Sequence, residues 1–129
     1  MAPNVRRWRF PASSQYVAHA RHVAAAHARW LGADARDVAL AVSEAFTNAV
    51  VHAYPNTSTE GEVELVMRRR STQLEVRVSD DGQVMLASAS QASPGLGLGL
   101  SVIKQLTVRL DVEQMPQGGT KVRMYFPLE

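Results

Sequence analysis

The sequence predicts an α+β fold of two layers, a mixed and mostly antiparallel sheet with about three helices packed on one face. Two segments space their apolar residues as helices do, and five others alternate apolar and polar residues as strands do. The elements follow one another as strand, helix, helix, hairpin, loop, helix and hairpin. Sheets built from hairpins bury one face, so the helices are expected to cover that face.

The N-terminal segment is predicted to form a strand followed by a helix. Val5–Phe10 alternates roughly and holds two aromatic residues, which favours a strand. Apolar residues then recur at helical spacing through Gln15–Leu31. Ser13 or Ser14 is expected to cap that helix, and Gly32 is expected to end it in the left-handed conformation.

A second helix is expected to begin near Ala33–Asp37, with Asp34 as its N-cap, and to run to about Ala53. The pair Tyr54-Pro55 ends it, because a residue before proline avoids the helical conformation.

Two hairpins complete the predicted sheet. Their strands alternate over Glu62–Arg69, Gln73–Ser79, Thr107–Met115 and Thr120–Pro127. Between the hairpins, residues 83–94 lack a periodic pattern and are expected to form a mobile loop. A short helix over Ser101–Gln105 is expected to follow a glycine-rich run. With 129 residues, 46% of them hydrophobic, the chain is expected to be one domain spanning residues 1–129.

Composition restricts the chemistry. The chain has no cysteine, which excludes disulfides, thiolate catalysis and cysteine-based zinc sites. It has no apolar run long enough to span a membrane and no secretory signal at its start, so we expect a cytoplasmic protein without a membrane partner. His19 and His22 lie one helical turn apart, but no carboxylate of that helix joins them, so we interpret them as surface residues rather than metal ligands.

A polar stripe interrupts the second predicted helix. Glu44, Asn48 and His52 recur at a step of four residues in a stretch of small and apolar residues, so they share one drifting face. A solvated stripe on an amphipathic helix explains this spacing, and a ligand-facing stripe explains it equally well. Under the second hypothesis, Glu44 acts as a base and Asn48 as a metal ligand.

Three glycine-bearing sites lie at the ends of predicted elements. Asp80-Asp81-Gly82 follows a strand, and Gly82 would let a flat ligand approach the backbone beside Asp80. Gly119-Thr120 precedes the last strand, where a simple hairpin turn is the alternative. A glycine-rich run opens a helix, where free N–H groups and the helix dipole attract anions. That run consists of Gly95, Leu96, Gly97, Leu98, Gly99 and Leu100.

In this order the sites resemble the GHKL ATPase superfamily. The stretch with Glu44 and Asn48 is similar to its N box, Asp80–Gly82 to its G1 box and Gly95–Leu100 to its G2 box. Within the superfamily, the chain most resembles the small anti-sigma-factor serine kinases of the RsbW and SpoIIAB type. That likeness is carried by Pro11–Ser13, Tyr16–Val17, Arg21, Ala41–Ala45, Asn48–Ala49 and His52–Tyr54. The resemblance implies the Bergerat ATP-binding fold.

The resemblance also implies a role for each site. Glu44 would be the general base, Asn48 would coordinate Mg²⁺, and Asp80 would accept a hydrogen bond from the adenine amino group. Gly82 and Thr120 would complete the adenine site. The remaining ATP contacts would come from the glycine-rich run, at Gly95, Leu96, Gly97, Leu98 and Gly99.

Three further positions bear on the resemblance. Val84 stands where the common G1 pattern has a second glycine. His52 is interpreted as structural, because Glu44 already supplies a base. Arg21 is assigned to a partner-facing surface.

The implied function is an ATP- and Mg²⁺-dependent protein serine/threonine kinase that is also an anti-sigma factor. Its partners would be a sigma factor and a STAS-domain anti-anti-sigma protein, which it phosphorylates. Phosphorylation adds about two negative charges and would weaken binding of that partner. The resemblance also allows a homodimer.

Two other hypotheses stay open. The first is a non-catalytic module that binds nucleotide and sequesters a sigma factor or another partner; Val84 motivates it. The second is a nucleic-acid binder that uses the clusters Arg6–Arg9 and Arg68–Arg70, although two short clusters are weak support and no direct nucleic-acid contact is expected.

Overall fold

The computed structural model describes residues 5–53, 61–82, 94–116 and 118–129, with backbone alone at 52, 53 and 94–99. These residues form five strands and three α-helices in the predicted order. The strands are β1 (Val5–Pro11), β2 (Glu62–Arg70), β3 (Gln73–Asp80), β4 (Arg109–Gln114) and β5 (Thr120–Pro127). The α-helices are α1 (Val17–Leu31), α2 (Ala35–Asn48) and α3 (Pro94–Leu106), with a 3₁₀ turn at Ser14–Tyr16 and a π-helical turn at Ala49–Ala53.

The strands form one sheet in the order β1-β2-β3-β5-β4. Every pairing between the described strands is antiparallel, so the predicted α+β architecture is confirmed. β3 lies at the centre of the sheet, while β1 and β4 form its two edges. The end of β3, at Asp80, pairs with Val63 of β2.

One hydrophobic core joins the helices to one face of the sheet. Alternate strand positions point into it, because successive side chains of a strand face opposite sides. In β3 these positions are Leu74, Val76 and Val78, each buried. Small residues on α1 and larger ones on α2 complete the core, and the Phe10 and Phe46 rings meet edge to face with centroids 5.8 Å apart.

Two of the predicted helix caps are confirmed and one is wrong, and α2 ends at Asn48, with a π-helical turn rather than α-helix reaching the predicted end at Ala53. Asp34 Oδ1 accepts hydrogen bonds from the N–H groups of Arg36 and Asp37, each at 3.0 Å, so this predicted N-cap is confirmed. Gly32 ends α1 with φ of 96°, also as predicted. The predicted serine cap of α1 is wrong. Ser13 precedes the 3₁₀ turn and makes no capping hydrogen bond through its side chain, and that turn leads directly into α1.

The third helix is longer than predicted. It begins at Pro94 rather than near Ser101, so the glycine-rich run lies within its first turns. Glycine disfavours helix interiors by about 1 kcal/mol each, and this bias is why the sequence pattern placed the run outside the helix. Proline is well suited to the first helical position, where its missing N–H has no partner to lose. Among the described residues, no helix is long and apolar enough to cross a membrane.

Candidate functional site

Asp80 ends the row of inward-facing residues on β3 and carries its carboxyl group to the end of the core. Its Oδ1 accepts a hydrogen bond of 3.0 Å from the N–H of Gly82, and the N–H of Thr120 donates a second one. Burial raises the pKa of Asp80 to about 6, against the lowering effect of these two hydrogen bonds. The result is a half-buried acceptor held in place by backbone donors.

The turn between β4 and β5 packs directly on this carboxylate segment. Gly118 and Gly119 both have positive φ, 105° and 94°. A Cβ on Gly119 would overlap the carbonyl oxygen of Asp80 and come within 2.9 Å of the Asp81 Cα. A Cβ on Gly118 would lie 3.2 Å from the carbonyl oxygen of Gly82. Only glycine permits this backbone approach, so the turn is more than a hairpin connection.

Thr120 follows that turn and presents a buried hydroxyl. The residue is 1% exposed, and its Oγ1 has no hydrogen-bond partner among the described residues. A buried hydroxyl without a partner costs free energy, so such groups in native proteins call for a bound partner. The pattern of the sequence named Thr120 as a site residue. The packing of Gly118 and Gly119 on this segment was not predicted. The adjacent glycines indicate a turn, but not what the turn contacts.

Asn48 supplies a second unpartnered group on α2. It is the last residue of that helix, it is 8% exposed, and its Nδ2 has no partner among the described residues. The π-helical turn starts directly after it, and such turns recur at functional sites in proteins. Glu44 lies one helical turn before Asn48 on the same side and is half-buried. Next to it, the Ser43 hydroxyl is also buried without a described partner, and no sequence pattern pointed to it.

The fold brings these elements together around β3. α2 contacts β3 and α3, and the π-helical turn also contacts β3. The helix that carries Glu44 and Asn48 therefore packs against both the strand that ends in Asp80 and the helix that opens with the glycine run. Of that run, the backbone of Gly95–Gly99 is described as helical, and its side chains lie outside the description.

Several other predicted positions are placed as follows. Val84 and the loop 83–93 lie outside the described residues, as does the side chain of His52. His19 packs edge-on against the Phe10 ring with centroids 5.4 Å apart, and Arg21 is exposed on α1. Within the described ranges, no group of three His, Cys, Asp or Glu side chains gathers into a metal cage.

The donor set fits Mg²⁺ bound through a nucleotide better than a cage of protein ligands. Mg²⁺ commonly takes one or two protein oxygens and fills its remaining positions with phosphate oxygens and water. Asn48 offers one buried carboxamide, and its oxygen is compatible with that mode of binding. Asp80 and Thr120 offer acceptors and a donor at the end of β3 and the start of β5.

Comparison with known proteins gives a family match over most of the chain. The model of the histidine kinase-like ATPase domain matches residues 10–126. An anti-sigma F factor of Caldanaerobacter subterraneus subsp. tengcongensis is 30% identical, over 94% of this chain and 92% of the relative. An anti-sigma F factor of Pasteuria penetrans is 30% identical over 100% of this chain and 94% of the relative.

Two further similarities cover less of the other chain. The serine-protein kinase RsbW of Staphylococcus epidermidis is 34% identical over 67% of this chain and 57% of the kinase. A crystal structure of the RsbU and RsbW domains of Rv1364c from Mycobacterium tuberculosis matches with a TM-score of 0.67 and 20% identity. That match covers 95% of this chain and 32% of the solved one, and it confirms the fold.

Proposed function

Because the chain belongs to the family of histidine kinase-like ATPase domains, we propose that it is an ATP-dependent serine/threonine kinase that also acts as an anti-sigma factor. Its relatives include anti-sigma F factors that match it over nearly their whole length, and a serine-protein kinase. We further propose a sigma factor as its binding partner and a STAS-domain anti-anti-sigma protein as its substrate. The protein would act in the cytoplasm.

One observation carries the nucleotide site: the half-buried carboxyl of Asp80, held by two backbone N–H groups beneath the Gly118–Gly119 turn. An amino group on a flat heterocycle is a donor that such an acceptor would bind. The Thr120 hydroxyl would complete the hydrogen bonding there, directly or through water. Gly82 and the Gly118–Gly119 turn leave room for a ring to approach the backbone.

The phosphate end is assigned to α2 and α3. Asn48 would hold Mg²⁺, and the N–H groups at the start of α3, from Gly95 to Gly99, would bind phosphate oxygens. Bound Mg-ATP would supply the phosphoryl group and the cation that offsets its charge. Glu44 would accept the proton of the substrate hydroxyl, since it lies one helical turn from Asn48 and is half-buried.

Calorimetry with Mg-ADP and Mg-ATP tests the nucleotide site. We expect saturable binding by the wild type and a loss of at least about tenfold in affinity for Asp80→Asn, because the amide would present a donor toward the adenine amino group. Asp111→Asn is the matched control: Asp111 is a half-exposed carboxylate on β4 that pairs with Arg109 at 3.0 Å. Equal binding by the wild type and Asp80→Asn would refute the assignment of the adenine site.

Transfer of labelled phosphate from ATP to a STAS-domain protein tests catalysis. We expect Glu44→Gln to retain nucleotide binding and to lose about a hundredfold or more in transfer rate, the contribution typical of a general base. Glu113→Gln, which removes an exposed carboxylate on β4, should transfer normally. Binding without transfer by the wild type, with an intact sigma-factor complex, would instead support the non-catalytic sequestering module.

A further inference from the structure

A groove opens between β1 and α1, at the β1 edge of the described sheet. It has a volume of about 410 Å³ and is lined by Arg6, Trp8, Val23, Ala26, His27 and Trp30, which we call the Trp groove. Among the described strands, β1 is an edge strand that pairs with β2 alone. In the antiparallel register Trp8 lies opposite Leu65, while Phe10 lies opposite Val63, the residue that also pairs with Asp80.

The Trp groove is separate from the candidate nucleotide site. Arg6 pairs with Met67, four residues along β2 from Val63. At about 3.3 Å per residue and about 4.8 Å between strands, this places Arg6 roughly 13 Å along the sheet from the row that contains Asp80, and Trp8, opposite Leu65, roughly 7 Å along the sheet and roughly 10 Å across it. A ligand in the groove therefore would not contact Asp80.

Aromatic rings form the surface of the groove. The His27 ring meets Trp8 edge to face, with centroids 5.6 Å apart, and stacks on Trp30 at the same distance and an interplanar angle of 24°. Burial, with the neighbouring Arg6, lowers the pKa of His27, which favours a neutral ring in the stack. Trp30 is 74% exposed, although single exposed apolar residues are ordinary and only a contiguous patch is informative.

One cation, Arg6, lines this aromatic patch, on segments of the chain that carry no carboxylate. The first 33 residues hold five arginines, three histidines and no carboxylate, and all 12 acidic residues come from Asp34 onward. Arg7 and Arg9 point to the other face of the sheet, where they pair with Glu64 at 3.8 Å and 3.6 Å. Arg6 instead lies with its guanidinium 5.8 Å from the centre of the Trp8 ring, and no carboxylate pairs with it among the described residues.

We infer that the Trp groove binds an acidic segment of a partner protein, which packs an apolar side chain against Trp8 and Trp30 and places a carboxylate beside Arg6. Tryptophan and arginine dominate the binding energy of protein interfaces when they are buried by a partner. Charge complementarity favours an acidic partner, since Arg6 lines the groove without a carboxylate partner among the described residues and neither β1 nor α1 carries a carboxylate. The groove volume accommodates one or two large apolar side chains.

The same charges disfavour the other occupants. A second copy that docked through the same groove would set Arg6 against an identical surface, on which β1 and α1 offer no carboxylate. Nucleic acid requires several cations that follow the phosphate backbone, whereas Arg7 and Arg9 face the opposite side and are paired with carboxylates.

Fluorescence gives a direct test, because Trp8 and Trp30 are the chain's two tryptophans and both line the groove. The probe is a short synthetic peptide of leucine, phenylalanine and glutamate, compared with a matched peptide in which lysine replaces each glutamate. We expect the acidic peptide to shift the tryptophan emission to shorter wavelength with saturation, and the basic peptide to have no effect at equal concentration. Equal binding of the two peptides, or binding of neither at millimolar concentration, would overturn the inference.

Variants locate the binding surface, with affinity measured by anisotropy of the labelled acidic peptide. Trp30→Ala should weaken binding at least about tenfold, and Arg6→Gln about fivefold with a shallower dependence on salt. The matched controls are Leu40→Ala, an exposed apolar residue on α2, and Arg36→Gln, an exposed arginine on α2; both should bind as the wild type does.

Two outcomes would assign the groove to another occupant and overturn the inference. Sedimentation could show a dimer that Trp30→Ala dissociates and that the acidic peptide leaves intact, which would assign the groove to a second copy. Duplex DNA could bind with a steep salt dependence that Trp30→Ala or Arg6→Gln removes, which would assign it to nucleic acid.

Discussion

Glu75 and Asp80 are two carboxylates on the same strand, and the fold treats them in opposite ways. Glu75 is 6% exposed and accepts a hydrogen bond of 2.9 Å from Arg70 Nη1, with Arg123 Nε at 3.8 Å. Asp80 accepts hydrogen bonds from the backbone N–H groups of Gly82 and Thr120, and no salt bridge to it forms among the described residues. Glu75, on the outer face of the sheet, therefore has arginines beside it. Asp80, at the end of the core, has none among the described residues.

The pleat of β3 explains the contrast. Glu75 faces the outer side of the sheet, where arginines of β2 and β5 can reach it, while Asp80 continues the inward row of Leu74, Val76 and Val78. A carboxylate in that row loses hydration without gaining a cation, and its pKa rises accordingly. Strongly shifted groups of this kind cluster at functional sites. We infer that Glu75 contributes to the stability of the sheet, while Asp80 keeps a hydrogen-bond acceptor available for a ligand.

Gly119→Ala, which disturbs the backbone around Asp80, should cause the largest loss of stability. The new Cβ would overlap the carbonyl oxygen of Asp80 at a residue with φ of 94°, so we expect a loss of about 3 kcal/mol or more in unfolding free energy. Urea denaturation followed by circular dichroism measures it. Gly32→Ala is the control, because its φ is 96° but the nearest atom is 3.6 Å away. That variant should lose only the conformational contribution of about 1 kcal/mol, and equal losses would contradict the close packing.

Asp80→Asn should have the opposite sign and stabilise the protein. Because the folded pKa is about 6 and the ordinary value is 3.8, the folded state holds the proton more tightly than the unfolded state between these values. Stability therefore falls as the pH rises through this window, and the full penalty is present above about pH 6. The shift corresponds to roughly 3 kcal/mol, which we reduce to about 1–2 kcal/mol because the half-buried carboxyl retains solvent contact.

The measurement for Asp80→Asn is urea denaturation of both proteins at pH 7.5 and near pH 4. The gain over the wild type should be present at pH 7.5 and shrink at the lower pH, where Asp80 is protonated in the folded state. A gain that is the same at both values would show that burial of the charge is not its cause. The same variant should lose nucleotide affinity, so stability and binding would change in opposite directions.

The sequence predicted the contrast only in part. The alternation of Gln73–Ser79 is sufficient to place Glu75 on the outer face and to direct Asp80 toward the core, and motif order singled out Asp80. The sequence pattern could not predict that Glu75 pairs with Arg70 and Arg123, because those pairs depend on the β2–β3–β5 strand order and on side-chain rotamers. Local spacing therefore predicts which side a residue faces, while tertiary contacts decide which charge it meets.

The remaining differences have the same origin. Asp34 and Gly32 act within one helical turn, so their capping roles could be predicted from neighbouring residues alone. The early start of α3 could not be predicted in this way. Its glycines disfavour a helix, and the packing of α3 against α2 outweighs this unfavourable propensity. The approach of Gly119 to Asp80 joins segments distant in sequence, so a Gly-Gly pair indicates a turn without indicating what the turn touches.

Glu75→Gln tests the other carboxylate and should destabilise the protein by about 1 kcal/mol at neutral pH. The glutamine can still accept a hydrogen bond from Arg70, and both arginines retain solvent contact, so the loss stays well below that of breaking a fully buried ion pair. Urea denaturation in low and high salt measures it, and the difference from the wild type should diminish in high salt. Stabilisation by Glu75→Gln would show that its burial, rather than its pairing, dominates.

Glu113→Gln should change the stability least, and it tests whether burial decides how much a carboxylate contributes. Glu113 receives a hydrogen bond of 2.9 Å from Arg123 Nη1, as short as the bond from Arg70 to Glu75, and this interaction lowers the pKa of Glu113. The carboxylate is nevertheless half in solvent, and Arg123 keeps Glu75 as a second partner. Exposed ion pairs contribute little, so we expect no measurable change in the urea midpoint at neutral pH. A shift as large as that of Glu75→Gln would mean that the geometry of the pair, and not its burial, decides what a carboxylate contributes to this sheet.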